Sequence, residues 1–112
     1  ALKVSVSAHA RQHVDRVNLV DRLPLMVTLH DKFLGDYPTR VDAKNKRIEW
    51  NFEKMEAGEI KIVSYIIYSK IGVVGKFALP TATAIFEKDE QIKEVESNLA
   101  FFISEQRPRP EE

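Results

Sequence analysis

Apolar and polar residues alternate along most of this chain. In the opening segment every second residue is apolar, from Leu2 through Val4 and Val6 to Ala10. A repeat of two is typical of a β-strand with one buried face, because successive side chains point to opposite sides. The clearest repeat surrounds Trp50, which we predict to lie at the centre of the core. Strands are predicted over residues 2–11, 14–21, 25–30, 47–53, 60–71, 76–87 and 97–103.

The segment from Ile60 to Ile71 differs from the others because it is apolar on both faces. Its β-branched and aromatic residues favour a strand over a buried helix. A strand of this kind is predicted to be central in its sheet and covered on two sides. Gly72 and Gly75 then bracket a predicted turn, and Pro80 marks a bulge or an edge in the next strand.

Irregular and charged segments separate the predicted strands. Residues 31–46 contain two runs of turn-forming residues, and residues 87–96 form a charged connector, predicted to be a solvated hairpin loop rather than a helical turn. Short strands without helical periodicity predict an all-β fold, an antiparallel β-sandwich of about seven strands. We assign residues 1–104 to this sandwich domain and residues 105–112 to a Pro-rich disordered tail or linker.

Composition narrows the functional classes. The chain has 112 residues, with 17 basic and 17 acidic side chains and no cysteine. Balanced charge argues against a nucleic-acid partner, which normally requires a clustered basic excess. Charged residues interrupt the longest apolar-rich run, residues 60–74, so we expect no direct membrane insertion. An alanine at position 1 followed at once by a strand suggests a segment of a longer protein.

Five short motifs occur in an order that is typical of one family. They are Val17 to Pro24, Ile48-Glu49-Trp50, Met55 to Glu59, Ser64-Tyr65 and Ser97 to Ala100. Through them the chain resembles the DUF11-type repeat domain, an immunoglobulin-like β-sandwich of bacterial and archaeal surface and S-layer-associated proteins. The resemblance extends from about Val4 to Ile103 and implies an immunoglobulin-like fold for this chain.

The resemblance also implies a role in scaffolding, spacing or adhesion, and it brings no catalytic residues. The expected partners are neighbouring domains of the parent chain or another protein, at the cell surface or anchored to a membrane through the parent chain. A cytoplasmic location stays open. The chain departs from the family because the additional strand that the family usually has before Leu2 is absent from this sequence; it is expected either to have been lost or to be supplied by a neighbouring segment. In addition, Lys88-Asp89-Glu90 stands where the family has a Gly-Asp turn.

Side chains suited to catalysis or metal binding show no recognisable arrangement. His9 and His13 are four residues apart, which brings metal ligands together on a helix but not on a strand. The serines lack a nucleophile elbow. The acidic residues of segments 31–42 and 87–96 do not match an EF-type loop, although calcium is the metal that suits them best. We therefore predict no catalytic residue, no metal and no cofactor.

Phe33 and Tyr37 are the candidate binding residues. Both lie in the irregular segment, where a ring is harder to explain as part of the core than at Phe52 or Tyr65. Loops on a rigid sandwich often carry recognition. The preferred hypothesis is a non-catalytic structural or interaction module of a larger protein. The alternative is a sandwich that binds a polysaccharide or a protein ligand through these two rings.

Overall fold

The computed structural model describes residues 2–69 and 75–104 of the chain. Within these residues the chain forms ten β-strands and no helix. The strands are β1 (Leu2–His9), β2 (Val14–Arg22), β3 (Val27–Leu34), β4 (Arg40–Asp42), β5 (Arg47–Met55), β6 (Ile60–Ser69), β7 (Gly75–Leu79), β8 (Thr83–Lys88), β9 (Gln91–Glu96) and β10 (Ala100–Ser104).

The strands form two antiparallel sheets and a separate ribbon. The first sheet has three strands in the order β1-β6-β3, and the second has five in the order β4-β5-β2-β8-β9. β7 and β10 pair with each other as the ribbon. Inward side chains of both sheets meet in one hydrophobic cluster, so the two sheets share a core. This confirms the predicted all-β, sandwich-like architecture at a coarse level.

Trp50 lies in the middle of this core, as predicted, with only 1% of its surface exposed. Its ring stacks on that of Tyr65, with ring centroids 6.3 Å apart. The indole N–H donates a hydrogen bond to the backbone oxygen of Asp36 over 3.1 Å, which satisfies its polar atom despite burial. The alternation predicted for β1 and β5 is also present, since Val4 and Ile48 are buried.

The number of strands exceeds the prediction of about seven. The short segment Arg40–Asp42, which was predicted to be irregular, pairs with β5. The charged segment Gln91–Glu96, predicted to be a loop, pairs with β8. In both cases pairing with a neighbouring strand outweighs the local polar composition. The predicted strand over residues 76–87 is divided near Pro80, because proline has no N–H for the ladder.

The central strand β6 also differs from its prediction. It lies between β1 and β3 as expected, but Ile62 is 57% and Tyr68 is 41% exposed. Within the described residues, therefore, the outer face of β6 is only partly covered, since Ser64 on the same face is buried. The His30 ring contacts Tyr68 edge-on, with ring centroids 5.4 Å apart, and shields part of the outer face. The predicted turn at Gly72 and the predicted tail at residues 105–112 lie outside the described residues.

Candidate functional site

The two sheets separate on one side and leave an apolar cleft of about 560 Å³ between β1 and the β8–β9 hairpin. The cleft follows from the unequal sizes of the sheets. A sheet of three strands cannot cover the whole inner face of a sheet of five strands. The apolar floor of the cleft is formed by Val17, Leu19, Met55, Ala84 and Phe86.

One wall of the cleft is the edge strand β1, which contributes residues from Val6 onwards, followed by Arg11 and Gln12. β1 pairs with β6 along its full length, from Leu2 to His9. No strand of the described part of the chain pairs with its other edge. Backbone N–H and C=O groups along such an edge are available to another strand.

The rim of the cleft is charged unevenly. Arg11, Lys88 and Lys93 lie toward the end where β1 finishes, whereas Glu96 lies near the other end, opposite Thr83. Lys93 is opposite Phe86 in the β8–β9 ladder, so both side chains share the face that forms the cleft. Among the described residues, none of these three basic side chains forms an ion pair. One end of the cleft is therefore basic.

The predicted binding residues, Phe33 and Tyr37, lie away from this cleft. The structure brings the two rings together, with centroids 5.9 Å apart and planes inclined by 57°. Their surroundings differ, because Tyr37 is 74% exposed whereas Phe33 is partly buried against the main core. Only the Tyr37 ring is therefore freely presented to solvent.

The backbone beside Tyr37 is held at three points. Gly35 has a φ of 81° and lies against the backbone oxygen of Ile62. Asp36 accepts the indole hydrogen bond of Trp50, and Thr39 donates its N–H to the backbone oxygen of Glu49 over 2.8 Å. The loop is therefore positioned by the core rather than left loose.

The histidines do not assemble as a metal site. His13 is exposed, with Nδ1 3.0 Å from a Glu56 carboxylate oxygen and Nε2 3.0 Å from one of Asp15. The hydrogen bonds to Glu56 and then to Asp15 raise the pKa of His13, because both favour the charged imidazolium. In the part of the chain that is described, no group of three or more His, Asp or Glu residues is arranged to hold a metal ion.

Asp42, one of the acidic residues of the irregular segment, takes part in local structure. Both carboxylate oxygens of Asp42 accept hydrogen bonds from Asn45, one from its backbone N–H and one from its side-chain amide. These bonds, led by the side-chain one, lower the pKa of Asp42. This carboxylate therefore stabilises the β4–β5 turn.

Sequence reasoning missed the cleft and its basic end. The sequence predicts a solvated charged connector over residues 87–96, which includes Lys88, Lys93 and Val95. Residues 92–95 read Ile-Lys-Glu-Val, so apolar and polar side chains do not alternate there, and the sequence gives no signal for a strand or for the face that lies beside β1.

The chain matches no protein-family model, no curated protein and no solved structure. Along residues 2–69 and 75–104, no helix has the length and apolar character required to cross a bilayer. The geometry of the cleft and of the Tyr37 loop is therefore the basis for a functional proposal.

Proposed function

We propose that this chain is a non-catalytic interaction module of a larger surface or membrane-associated protein. The observation that carries the proposal is the free edge of β1 beside an apolar cleft. Natural proteins normally protect sheet edges, because unpaired backbone groups recruit other strands. An apolar surface with a polar rim is typical of contacts between proteins. The module would hold another domain or another chain against this side.

The strand order supports an immunoglobulin-like assignment. In constant-type immunoglobulin domains one sheet has the order ABED and the other contains C, F and G. Strands β1, β6 and β3 correspond to B, E and D, and strands β2, β8 and β9 correspond to C, F and G. β4, β5, β7 and β10 are additions to this plan. The position of strand A, beside β1, is filled by none of the described residues.

The sequence motifs are the basis for proposing a relationship to the DUF11-type repeat domain, and two of these motifs are in contact in the structure. Asp21 belongs to the segment that ends in Leu23-Pro24, and Tyr65 belongs to the long tyrosine-containing strand. The Tyr65 hydroxyl donates a hydrogen bond to the Asp21 carboxylate over 2.5 Å. Two segments far apart in sequence thus meet in the core.

The parent protein provides the test of this function. Source cells are fractionated, and the intact chain that contains this sequence is measured by mass spectrometry. We expect a longer chain in the membrane or surface fraction. A free chain of this size in the cytosol would contradict the module proposal.

A second candidate function is polysaccharide binding through Tyr37. It is favoured by an exposed ring that contacts Phe33 and lies on a loop anchored by Trp50. Because Phe33 packs against the core, Tyr37 is the one of these two rings that can be replaced without disturbing the fold. Glycan-array binding that is lost in Tyr37→Ala but kept in Tyr68→Ala would support this candidate. An unchanged protein that binds no glycan would count against it.

A further inference from the structure

We propose that the cleft binds an extended segment of a partner polypeptide, which adds to the first sheet as a strand beside β1. The segment would carry apolar side chains at alternate positions and acidic residues at the end near Arg11, Lys88 and Lys93. This inference rests on the proposed function, since it names the class of partner that the interaction module takes.

The backbone of β1 provides the first part of the site. β1 offers 8 residues that pair only with β6 among the described strands. Strand addition to a free sheet edge supplies affinity through backbone hydrogen bonds and specificity through pockets for alternate side chains. The cleft begins beneath this edge at Val6, so both components occur together.

The apolar floor determines which side chains the segment carries. Successive residues of a strand point to opposite faces, so every second side chain of an added strand enters the cleft. There it meets Ala84, Phe86 and Val95, which line the inner face of the β8–β9 hairpin. Alternate apolar residues therefore match the site, whereas the residues between them face solvent.

The charges on the rim determine at which end of the cleft the bound segment carries acidic residues. Arg11, Lys88 and Lys93 gather at one end of the cleft, and Glu96 is the only carboxylate among the described lining residues. A partner with acidic residues at the basic end is therefore favoured over one with lysines. β1 itself contains no acidic residue, so the β1 strand of a second copy does not meet this requirement.

Synthetic peptides test the proposal directly on the full chain. The peptides have the length of β1, 8 residues, with valine alternating with threonine and two aspartates at one end. The control peptides carry two lysines instead. Fluorescence anisotropy should show about tenfold tighter binding of the acidic peptide, the combined effect expected of a few rim charges. Equal binding of the two peptides, or no binding of either, would overturn the proposal.

Charge variants show whether the preference arises at the cleft. Lys88→Glu combined with Lys93→Glu should reverse the preference between acidic and basic peptides. Lys32→Glu combined with Lys44→Glu changes the net charge equally, at exposed positions outside the cleft, and should leave it unchanged. A reversal caused equally by both pairs would place the effect in the overall charge and overturn the site.

Two tryptophan variants on β9, one inside the cleft and one on the opposite face, test whether the cleft is the binding site. Val95 lines it, whereas Ile92 lies on the opposite face of the same strand and is 72% exposed. Val95→Trp should fill the cleft and abolish peptide binding, and Ile92→Trp should not. Both replaced side chains lie mainly in solvent, and thermal melting confirms that each variant folds. Unchanged binding by Val95→Trp would exclude the cleft as the binding site.

Backbone methylation separates strand addition from simple apolar binding. Peptides with N-methyl groups at odd positions and at even positions block opposite edges of the added strand. One series should lose binding and the other should keep it. Equal binding of both series would overturn pairing with β1. A dimer of the chain alone that Val95→Trp dissociates would assign the cleft to a second copy and also overturn the proposal.

The two proposals fail in different experiments. If no peptide binds but the parent chain is in the surface fraction, the strand-binding proposal is contradicted and the module function is not. A free cytosolic chain that binds the acidic peptide would contradict the surface-protein function and leave the strand-binding site in place.

Discussion

At the scale of single residues, two glycines with the same backbone conformation have different surroundings. Gly35 and Gly58 both adopt a positive φ, 81° and 85°. A Cβ on Gly35 would lie 2.5 Å from the backbone oxygen of Ile62, whereas a Cβ on Gly58 would meet nothing within 4 Å. Gly35 therefore permits both the turn after β3 and its close approach to β6.

Gly35→Ala should destabilise the protein by about 2–4 kcal/mol, because a steric clash with backbone adds to the cost of a left-handed conformation. Gly58→Ala is the control and should cost about 1–2 kcal/mol, since only the conformational cost applies. Urea unfolding monitored by Trp50 fluorescence measures both. Equal losses for the two variants would contradict the close contact between Gly35 and β6.

The Asp21–Tyr65 pair is the second feature at this scale. Asp21 is 4% exposed and accepts hydrogen bonds from the Tyr65 hydroxyl and the Arg22 backbone N–H. Burial raises the pKa of Asp21 more than these bonds lower it. Burial, followed by the charge of Asp21, also raises the pKa of Tyr65, which keeps the hydroxyl as a donor. The folded state therefore binds a proton at Asp21 more tightly than the unfolded chain does.

The contribution of Asp21 to stability should be greatest below its ordinary pKa of about 3.9 and be lost as pH rises through its raised pKa. Tyr65→Phe removes a hydrogen bond to the charged carboxylate and should cost about 1.5–3 kcal/mol at neutral pH. The loss should shrink when Asp21 is protonated. Urea unfolding measured from below the ordinary pKa of Asp21 up to neutral pH tests the prediction, with Tyr68→Phe on the exposed face as control. A loss that does not change with pH would contradict it.

Sequence patterns predicted the burial of some core residues and not of others. Alternation identified Trp50 and Ile48 as core residues, because burial on one face of a strand is a local property. It did not identify Asp21 as buried, since its partner Tyr65 lies 44 residues away. A buried carboxylate depends on where the chain brings its donors, which single-strand patterns do not contain.

At the scale of elements, the β8–β9 hairpin has an unusual turn. Its two loop residues, Asp89 and Glu90, have φ values of 51° and 63°. Two-residue hairpin loops with positive φ at both positions favour Asn-Gly or Asp-Gly, because a side chain is strained there. The hairpin thus forms despite its turn sequence, through pairing of β8 with β9 from Thr83 to Lys88.

Glu90→Gly should stabilise the protein by about 0.5–1 kcal/mol, because relief of the left-handed strain exceeds the entropic cost of glycine. Glu90→Ala removes the same charge but keeps the Cβ, so it should give no gain. Thermal unfolding of the two variants distinguishes the causes. A gain shared by both would point to charge rather than to backbone strain.

The exposure of β9 also explains why the sequence predicts a loop for this charged segment. β9 is exposed along its whole length, so it has no buried face from which a sequence pattern could arise. β4 was missed for a related reason, since its three residues are defined by pairing with β5. By contrast, β1 and β5 each bury one face, and their patterns were sufficient.

At the scale of the whole molecule, the unequal sheets determine the candidate site. The three-stranded sheet covers only part of the five-stranded one, and the uncovered part lies between β1 and β8–β9. The sequence predicted two packed sheets but not the cleft, because the cleft depends on which distant strands pair. β1 and β6, for example, join residues as far apart as Leu2 and Ile67.

The free edge of β1 is the central claim, and amide hydrogen exchange in the isolated monomeric chain tests it most directly. Amides of β1 should alternate, with those that pair with β6 protected and those on the outer edge exchanging rapidly. Ser64 and Tyr65, which pair with strands on both sides, provide the protected reference. Alternating protection in β1 is the result we predict. Uniform protection along β1 would mean that its outer edge is already covered, and would contradict the open side on which the proposed function rests.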